Sequence, residues 1–315
     1  VVVVIDHPQD EAALGGTDAT AVVAGRALVP RSEGFTTDVV FVIDVSGSTS
    51  APSGADVNGN GVIGAAPSSA TGGLFALGSS DPGDSILAAE VAAVRRLLSR
   101  LDPRFTRVAL ATFSGQMLDY GVLAENPAVT EIALTNAYED MQRALDRVLA
   151  RGPNGATYIA AGIDQATNEL LGQNGAFSRA DAKSQKVIVF LTDGLPTLPF
   201  EGNDPRNTIT VLRAADRARN ANARVYSFGV GEEALSGPLA LLELARLTDG
   251  TFTPVRDPAL LSDVFAEVEF ADVESLEVRN ATLGAPALAT ELGADGSFGA
   301  LVPLRTGRNE IEVTA

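Results

Sequence analysis

Val39-Val40-Phe41-Val42-Ile43-Asp44-Val45-Ser46-Gly47-Ser48 is the stretch on which the fold of this chain turns. Its first half is apolar without a break and rich in β-branched side chains. A strand with one solvated face shows apolar residues only at every second position. An unbroken run suits the centre of a parallel sheet that is covered on both faces. An aspartate and two serines then follow at alternate positions. In open parallel sheets, ligands bind beyond the carboxyl ends of the strands. A buried strand and a polar rim therefore stand side by side in this one segment.

The same sequence of buried strand and polar end recurs at residues 186–191, which lead into Thr192-Asp193-Gly194. Residues 107–113, part of 122–134, 224–230 and 250–255 also read as strands. Residues 84–101, 137–150, 158–171, 207–222, 239–247 and 258–270 read as helices. In the first of these, Leu87, Val91, Val94, Leu98 and Leu101 recur at spacings of four and three and form one apolar stripe. Strands alternating with helices predict an α/β fold: a doubly wound, mostly parallel, Rossmann-like sheet with helices on both faces.

Residues 49–83 break this rhythm. Gly, Ser, Ala, Asn and Pro dominate there, as expected of a long inserted loop. Both ends of the chain are β only. Residues 1–5 and 20–28 read as strands around Pro8 and Gly15-Gly16. Residues 276–283, 297–304 and 309–314 read as strands separated by Gly-rich turns, with Asp295-Gly296 as a hairpin turn. Neither end is large enough to fold alone. The expected arrangement is one small β-sandwich, with residues 1–33 as its first half and 272–315 as its second. The α/β domain, residues 36–271, is inserted between them. The stretch from Asp295 to Ala315 resembles the closing strands of bacterial immunoglobulin-like modules.

Three separated motifs converge in this reading: Asp44-Val45-Ser46-Gly47-Ser48, Gly155-Ala156-Thr157 ahead of a helix, and Thr192-Asp193-Gly194. Each alone is common in turns and helix caps. Together, on the rim of one sheet, they offer carboxylates and hydroxyls, all hard oxygen donors suited to Mg²⁺ or Ca²⁺. Hydroxyls are neutral, so a cation among them keeps positive character and an open position for an outside carboxylate.

In order and placement these motifs are similar to the metal-ion-dependent adhesion site of von Willebrand factor type A domains, over roughly residues 38–270. The resemblance implies that Ser46, Ser48 and Thr157 ligate a divalent metal. It also implies that Asp44 and Asp193 complete the site directly or through water. Members of that family are commonly adhesive or assembly modules, outside cells and within them.

The insertion carries a second candidate. Asp56-Val57-Asn58-Gly59-Asn60-Gly61 fits the opening of a calcium loop, D-x-[DN]-x-[DN]-G. Asp56, Asn58 and Asn60 are expected to point inward, Gly61 to permit the sharp turn, and Val62 to offer its carbonyl. Ile63 falls at the position of an apolar anchor. The segment resembles the loops of EF-hand and dockerin proteins. It departs from them at the twelfth position, where Pro67 replaces the bidentate glutamate, and Asp81 or Asp84 is the expected substitute. With few carboxylates the loop should bind Ca²⁺ weakly, near ~10⁻⁴ M.

Composition narrows the function. A net charge of −17 repels nucleic acid, so no nucleic-acid partner is expected. The chain has no Cys, and His7 is its one histidine, which excludes disulfides, thiol catalysis and Cys/His zinc sites. No run of about 20 apolar residues exists to insert into a membrane. The chain opens on Val1 rather than Met, and it reads as a processed, monomeric part of a larger protein.

The expected function is metal-dependent protein binding by a secreted or cell-surface bacterial protein, whose partner offers an Asp or Glu carboxylate. The alternative is a cytoplasmic, non-catalytic assembly subunit of a metal-chelatase-type ATPase. No phosphate-binding G-x-x-x-x-G-K-[ST] loop is present, so the chain cannot be the ATPase itself. No strong general base is evident, and the chain is not expected to be an enzyme.

Overall fold

The computed structural model describes residues 2–13, 20–28, 36–66, 78–118, 122–123, 126–268, 276–292 and 297–315. Its strands are β1 (Val2–His7), β2 (Thr20–Leu28), β3 (Thr37–Asp44), β4 (Thr106–Phe113), β5 (Met117–Leu118), β6 (Val122–Leu123), β7 (Ala128–Thr135) and β8 (Gln185–Thr192). They continue with β9 (Ala223–Val230), β10 (Phe252–Val255), β11 (Glu277–Asn280), β12 (Ala285–Pro286), β13 (Ala289–Leu292), β14 (Ser297–Pro303) and β15 (Ile311–Thr314). The helices are α1 (Ile86–Leu98), α2 (Tyr138–Arg151), α3 (Ile159–Leu171), α4 (Pro205–Asn220), α5 (Gly231–Ser236), α6 (Leu239–Leu247) and α7 (Leu261–Glu267). Gly15-Gly16, Pro67 and Asp295-Gly296 lie outside the described residues.

The chain divides into two compact units, Gly34–Glu267 and the joined ends Val1–Glu33 with Val268–Ala315. In the larger unit, β3 lies inside a six-stranded sheet of order β10-β9-β8-β3-β4-β7. Every pairing in it is parallel except that of the edge strand β7. The unbroken apolar run of β3 is explained by burial on two sides. Val40 and Val42 join Phe113, Ile188 and Phe190 under α3, α4 and α6. Val39, Phe41 and Ile43, at the alternate positions, are fully buried as well. They point to the opposite face, where α1 packs on β3, α2 and α7. A ring pair marks each face: Phe113 against Phe190 at 4.9 Å, and Phe228 against Phe265 at 4.5 Å. Burying one such side chain contributes roughly 1.5–3 kcal/mol. The fold is thus the expected α/β sheet covered on both faces.

The ends of the helices are set by local hydrogen bonding. α1 begins at Ile86 because Ser85 caps it, accepting the Ala88 N–H at 3.2 Å. It stops at Leu98, short of Leu101, as Arg100 and Leu101 turn back onto the carbonyls of Leu97 and Leu98. The expected last helix is divided into a 3-10 turn, Pro258–Leu260, and α7. α5, too short to show a helical period, has no counterpart in the sequence reading.

The two chain ends form a small sandwich. One sheet has the order β1-β2-β14-β13 and the other β12-β11-β15. Val23, Phe298, Ala300 and Val302 from the first meet Val278 from the second in a single apolar cluster. β14 alternates buried and more exposed residues along its length, as a one-sided strand must. β13 is mostly exposed and has no apolar alternation, which is why the sequence does not reveal it. His7 is exposed at the end of β1.

Candidate metal centre

Register places the polar rim. β3 and β8 run parallel with Ile43 level with Leu191, so Asp44 and Thr192 end their strands side by side. Thr192 Oγ1 donates to Asp44 Oδ2 at 2.5 Å, and the Ser46 N–H donates to Asp44 Oδ1 at 2.8 Å. Both oxygens of this fully buried carboxylate are thereby fixed. The chain then tightens into a 3-10 turn, Gly47–Ser50, with Ser46 at its start. Ser46 Oγ and Ser48 Oγ are 3.1 Å apart, and Ser48 Oγ donates to Asp193 Oδ1 at 2.7 Å.

Thr157 reaches the same place from a loop held by main-chain bonds. Gly47 N–H donates to Gly155 O at 2.8 Å, Asn154 N–H to Val45 O at 2.7 Å, and Ala156 N–H to Gly115 O at 2.6 Å. Gly155 has φ +93°, and a Cβ there would stand 2.7 Å from Gly115 O, so the loop admits only glycine. A Cβ on Gly194 would lie 3.3 Å from Thr157 Oγ1 and 3.8 Å from Ser48 Oγ. Asp44, Ser46, Ser48, Thr157 and Asp193 are therefore gathered at one rim. Beside it opens a groove of about 310 Å³, whose lining includes Gln116, Gly155, Ala156, Thr197 and Glu201.

The rim is short of positive charge. Burial pushes the Asp44 carboxyl up to about 6, although hydrogen bonds from Thr192 and Ser46 pull it down. Burial, and then the charge of Asp44, push Asp193 up to about 8. Glu233, exposed on α5, adds to both shifts, and the Ala234 N–H donates to Asp193 O at 3.1 Å. Beneath them, Glu90 on α1 is fully buried, and neither of its carboxyl oxygens has a hydrogen-bond partner. Burial raises its pKa well above the ordinary range, and Asp44 and Asp193 raise it further. Among the described residues no three acidic, imidazole or thiol side chains form a metal-binding group. The rim instead combines two carboxylates with hydroxyls, a donor set that fits a hard divalent cation.

Sequence reasoning assigned no role to Glu90, Thr192 or Glu233. For Glu90 the signal is present: a charged residue three positions after Leu87 and four before Val94, on the apolar stripe itself. For Glu233 there is none, since its position depends on where β9 ends.

The insertion gathers its residues differently. Asn60 N–H lies 3.0 Å from both Asp56 Oδ1 and Asn58 Oδ1, and Gly61 N–H donates to Asp56 Oδ2 at 2.8 Å. Gly61 takes φ +84°, as the sharp turn requires. Asp81 Oδ2 accepts from Asn58 Nδ2 at 3.0 Å and Asn60 Nδ2 at 2.6 Å. These bonds hold the half-buried Asp81 carboxyl below its usual range. Asp84 is buried, and its oxygens accept the N–H groups of Val57, Asn58 and Gly64. The Val62 N–H donates to Asn60 Oδ1 at 2.8 Å. Ile63, expected as an apolar anchor, is 57% exposed. The anchoring is done by the Asp84 carboxylate, which replaces hydrophobic contact with three main-chain hydrogen bonds.

A family model described as von Willebrand factor type A domain matches residues 77–267. That span includes Thr157 and Asp193, while Asp44, Ser46 and Ser48 lie ahead of it, across the insertion. Among solved structures, the pilus adhesin SpaC from Lactobacillus rhamnosus GG is 12% identical with a TM-score of 0.50. That match covers 93% of this chain and 40% of the adhesin, so the chain spans less than half of that protein. A mutant of the PilB minor pilin from Streptococcus sanguinis is 17% identical, over 76% of this chain and 62% of that one, with a TM-score of 0.47. The SpRpn10 VWA domain is 15% identical, over 73% and 93%, with a TM-score of 0.47. At such identities the likeness is one of fold. No curated protein matches the chain.

Proposed function

Because the chain belongs to the von Willebrand factor type A domain family, we propose that it is a protein-binding module whose rim holds a divalent cation, Mg²⁺ or Ca²⁺. The observation that carries this reading is the convergence of Ser46, Ser48 and Asp193 in one hydrogen-bonded chain, with Asp44 buried behind and Thr157 facing the same glycine. Ser46, Ser48 and Thr157 would hold the cation through neutral oxygens, and Asp44 and Asp193 would balance its charge. A bound cation would supply an open coordination position for a partner's carboxylate. The neighbouring groove, lined by Gln116, Thr197 and Glu201 among others, is where a partner loop would lie.

We read the rim as a binding device and not a catalytic one. The histidine His7 belongs to the other unit, and the donors are those of a hard cation rather than of hydrolytic zinc. The SpaC likeness extends over most of the chain, and a surface adhesin is the setting we favour for it. No described helix is long and apolar enough to cross a membrane. In the insertion, Asp56, Asn58, Asn60 and Asp81 would take up Ca²⁺ once the two amides rotate to present Oδ1, with Val62 adding its carbonyl. Asp84 would act as the anchor of that loop. Such a site would fill where calcium is millimolar and stay empty in cytosol.

The test is calorimetric titration of the chelator-treated chain with Ca²⁺ and with Mg²⁺, with and without acetate as a stand-in for the partner's carboxylate. Asp44→Asn and Asp56→Ala are run alongside. Two binding events, each lost in one variant, are the expected result. Absence of any cation binding, even with acetate present, would sink the rim assignment.

A further inference from the structure

Glu90 is the one described side chain whose buried polar atoms have no hydrogen-bond partner. Leaving an ionisable group in that state costs several kcal/mol unless something neutralises it. Other buried acids of this unit are provided for. Asp38 forms a two-pronged pair with Arg107 and accepts from Ser184, and Glu169 accepts from Thr130 and from the Phe177 and Ser178 N–H groups. Leucine or methionine at position 90 would continue the apolar stripe of α1 at no such cost. The helix that carries Glu90 packs on β3 and on the turn that holds Ser46 and Ser48. The charges acting on Glu90 are those of Asp44 and Asp193.

We propose that Glu90 is a third carboxylate of the rim cation site, buried behind Asp44 and Asp193, where it strengthens the hold on the cation without touching the partner. This rests on the rim reading given above. Three carboxylates so placed repel one another when ionised, and they are relieved either by taking up protons or by a divalent cation, which lets them stay ionised. Glu90 is a positioning residue in this scheme, working through the field it adds and through the waters or hydroxyls around the cation. Its charge also opposes the partner's carboxylate. The rim therefore trades some capture strength for retention of its cation when that cation is scarce.

The experiment uses the full chain carrying Asp56→Ala, so that only the rim reports. Chelator-treated protein is titrated with Ca²⁺ and with Mg²⁺, and its melting temperature is recorded with and without each cation, for Glu90, Glu90→Gln and Glu90→Asp. Glu90→Gln keeps the shape and removes the charge. It should weaken the cation by roughly 10–100-fold, the range found when a group behind the ligands is lost. The cation-free melt should stay level or rise, and the melting increment from added cation should shrink. Glu90→Asp keeps the charge and should recover part of the affinity. Wild-type affinity in Glu90→Gln, or equal weakening in both variants, overturns the proposal. A Glu90 protein that binds no cation at all fails the rim reading itself.

Discussion

The rim and the insertion each gather aspartates with neutral oxygen donors, hydroxyls at the rim and amides in the insertion, and they are opposite in physics. At the rim, Asp44 and Asp193 are buried and their pKa values raised, with Glu90 unpartnered beneath them. In the insertion, Asp81 is only half-buried and its pKa is lowered by the amides of Asn58 and Asn60. Asp56 and Asp84 are occupied by N–H groups of their own loop. Desolvation sets the difference. A buried carboxylate pair must hold protons or take a counter-charge, whereas the loop satisfies its acids from its own backbone and amides. The rim should therefore depend on its cation, and the insertion should only be improved by one.

The largest effect that would break this contrast is on cation affinity. Asp44→Asn should cost the rim ~100-fold or more in calorimetric affinity. It should leave the cation-free melt level or higher, because one charge of a repelling pair is gone. A fall in that melt would mean that Asp44 is a structural acid like Asp84.

The dependence on pH comes next. Folded Asp44 and Asp193 hold their protons more tightly than the unfolded chain does, where Asp titrates near ~3.9. The stability from this source is complete below that value and is lost as pH rises through about 6 for Asp44 and about 8 for Asp193. Cation-free protein should lose stability on the order of a few kcal/mol between pH 4 and 8. Saturating cation should flatten or reverse the slope, since metal ligands bind deprotonated. A cation-free melt independent of pH over that range would contradict the burial argument.

Asp84→Ala sharpens the other side. It removes the acceptor of the Val57, Asn58 and Gly64 N–H groups. A loss of roughly 1–3 kcal/mol in denaturant unfolding is expected, with rim affinity unchanged. The smallest effect is calcium on the insertion. At ten times its dissociation constant, Ca²⁺ should add about 1.4 kcal/mol by mass action, and Asp56→Ala should remove that gain. No calcium-dependent gain in an Asp44→Asn background would reduce the insertion to a self-satisfied loop.

Much of the fold was legible because burial leaves a strong mark on composition. The runs of β3 and β8 announced a parallel interior, the apolar stripe of Leu87, Val91, Val94 and Leu98 announced α1, and α2, α3, α4 and α6 were read between the strands. α5 and β13 were not legible. One is a single turn and a half, and the other is exposed, so neither carries a period. The rim donors Asp44, Ser46, Ser48, Thr157 and Asp193 were legible as motifs at two strand ends and ahead of a helix. Their convergence on one rim was expected from the parallel-sheet reading, but the contacts that produce it, a register that pairs Ile43 with Leu191 and the Gly47 N–H on Gly155 O, were not legible.

By itself, then, the sequence determined the alternation of elements, the oxygen-rich donor set and the exclusion of disulfides, thiol catalysis and Cys/His zinc sites, since these follow from residue type and spacing along one chain. Only the tertiary structure decided that Glu90 lies unpaired behind the rim, that Glu233 overlooks it, and that Asp84 anchors the insertion in place of Ile63. Desolvation and field depend on what surrounds a carboxylate in three dimensions. Those surroundings come from segments that lie far apart in the chain.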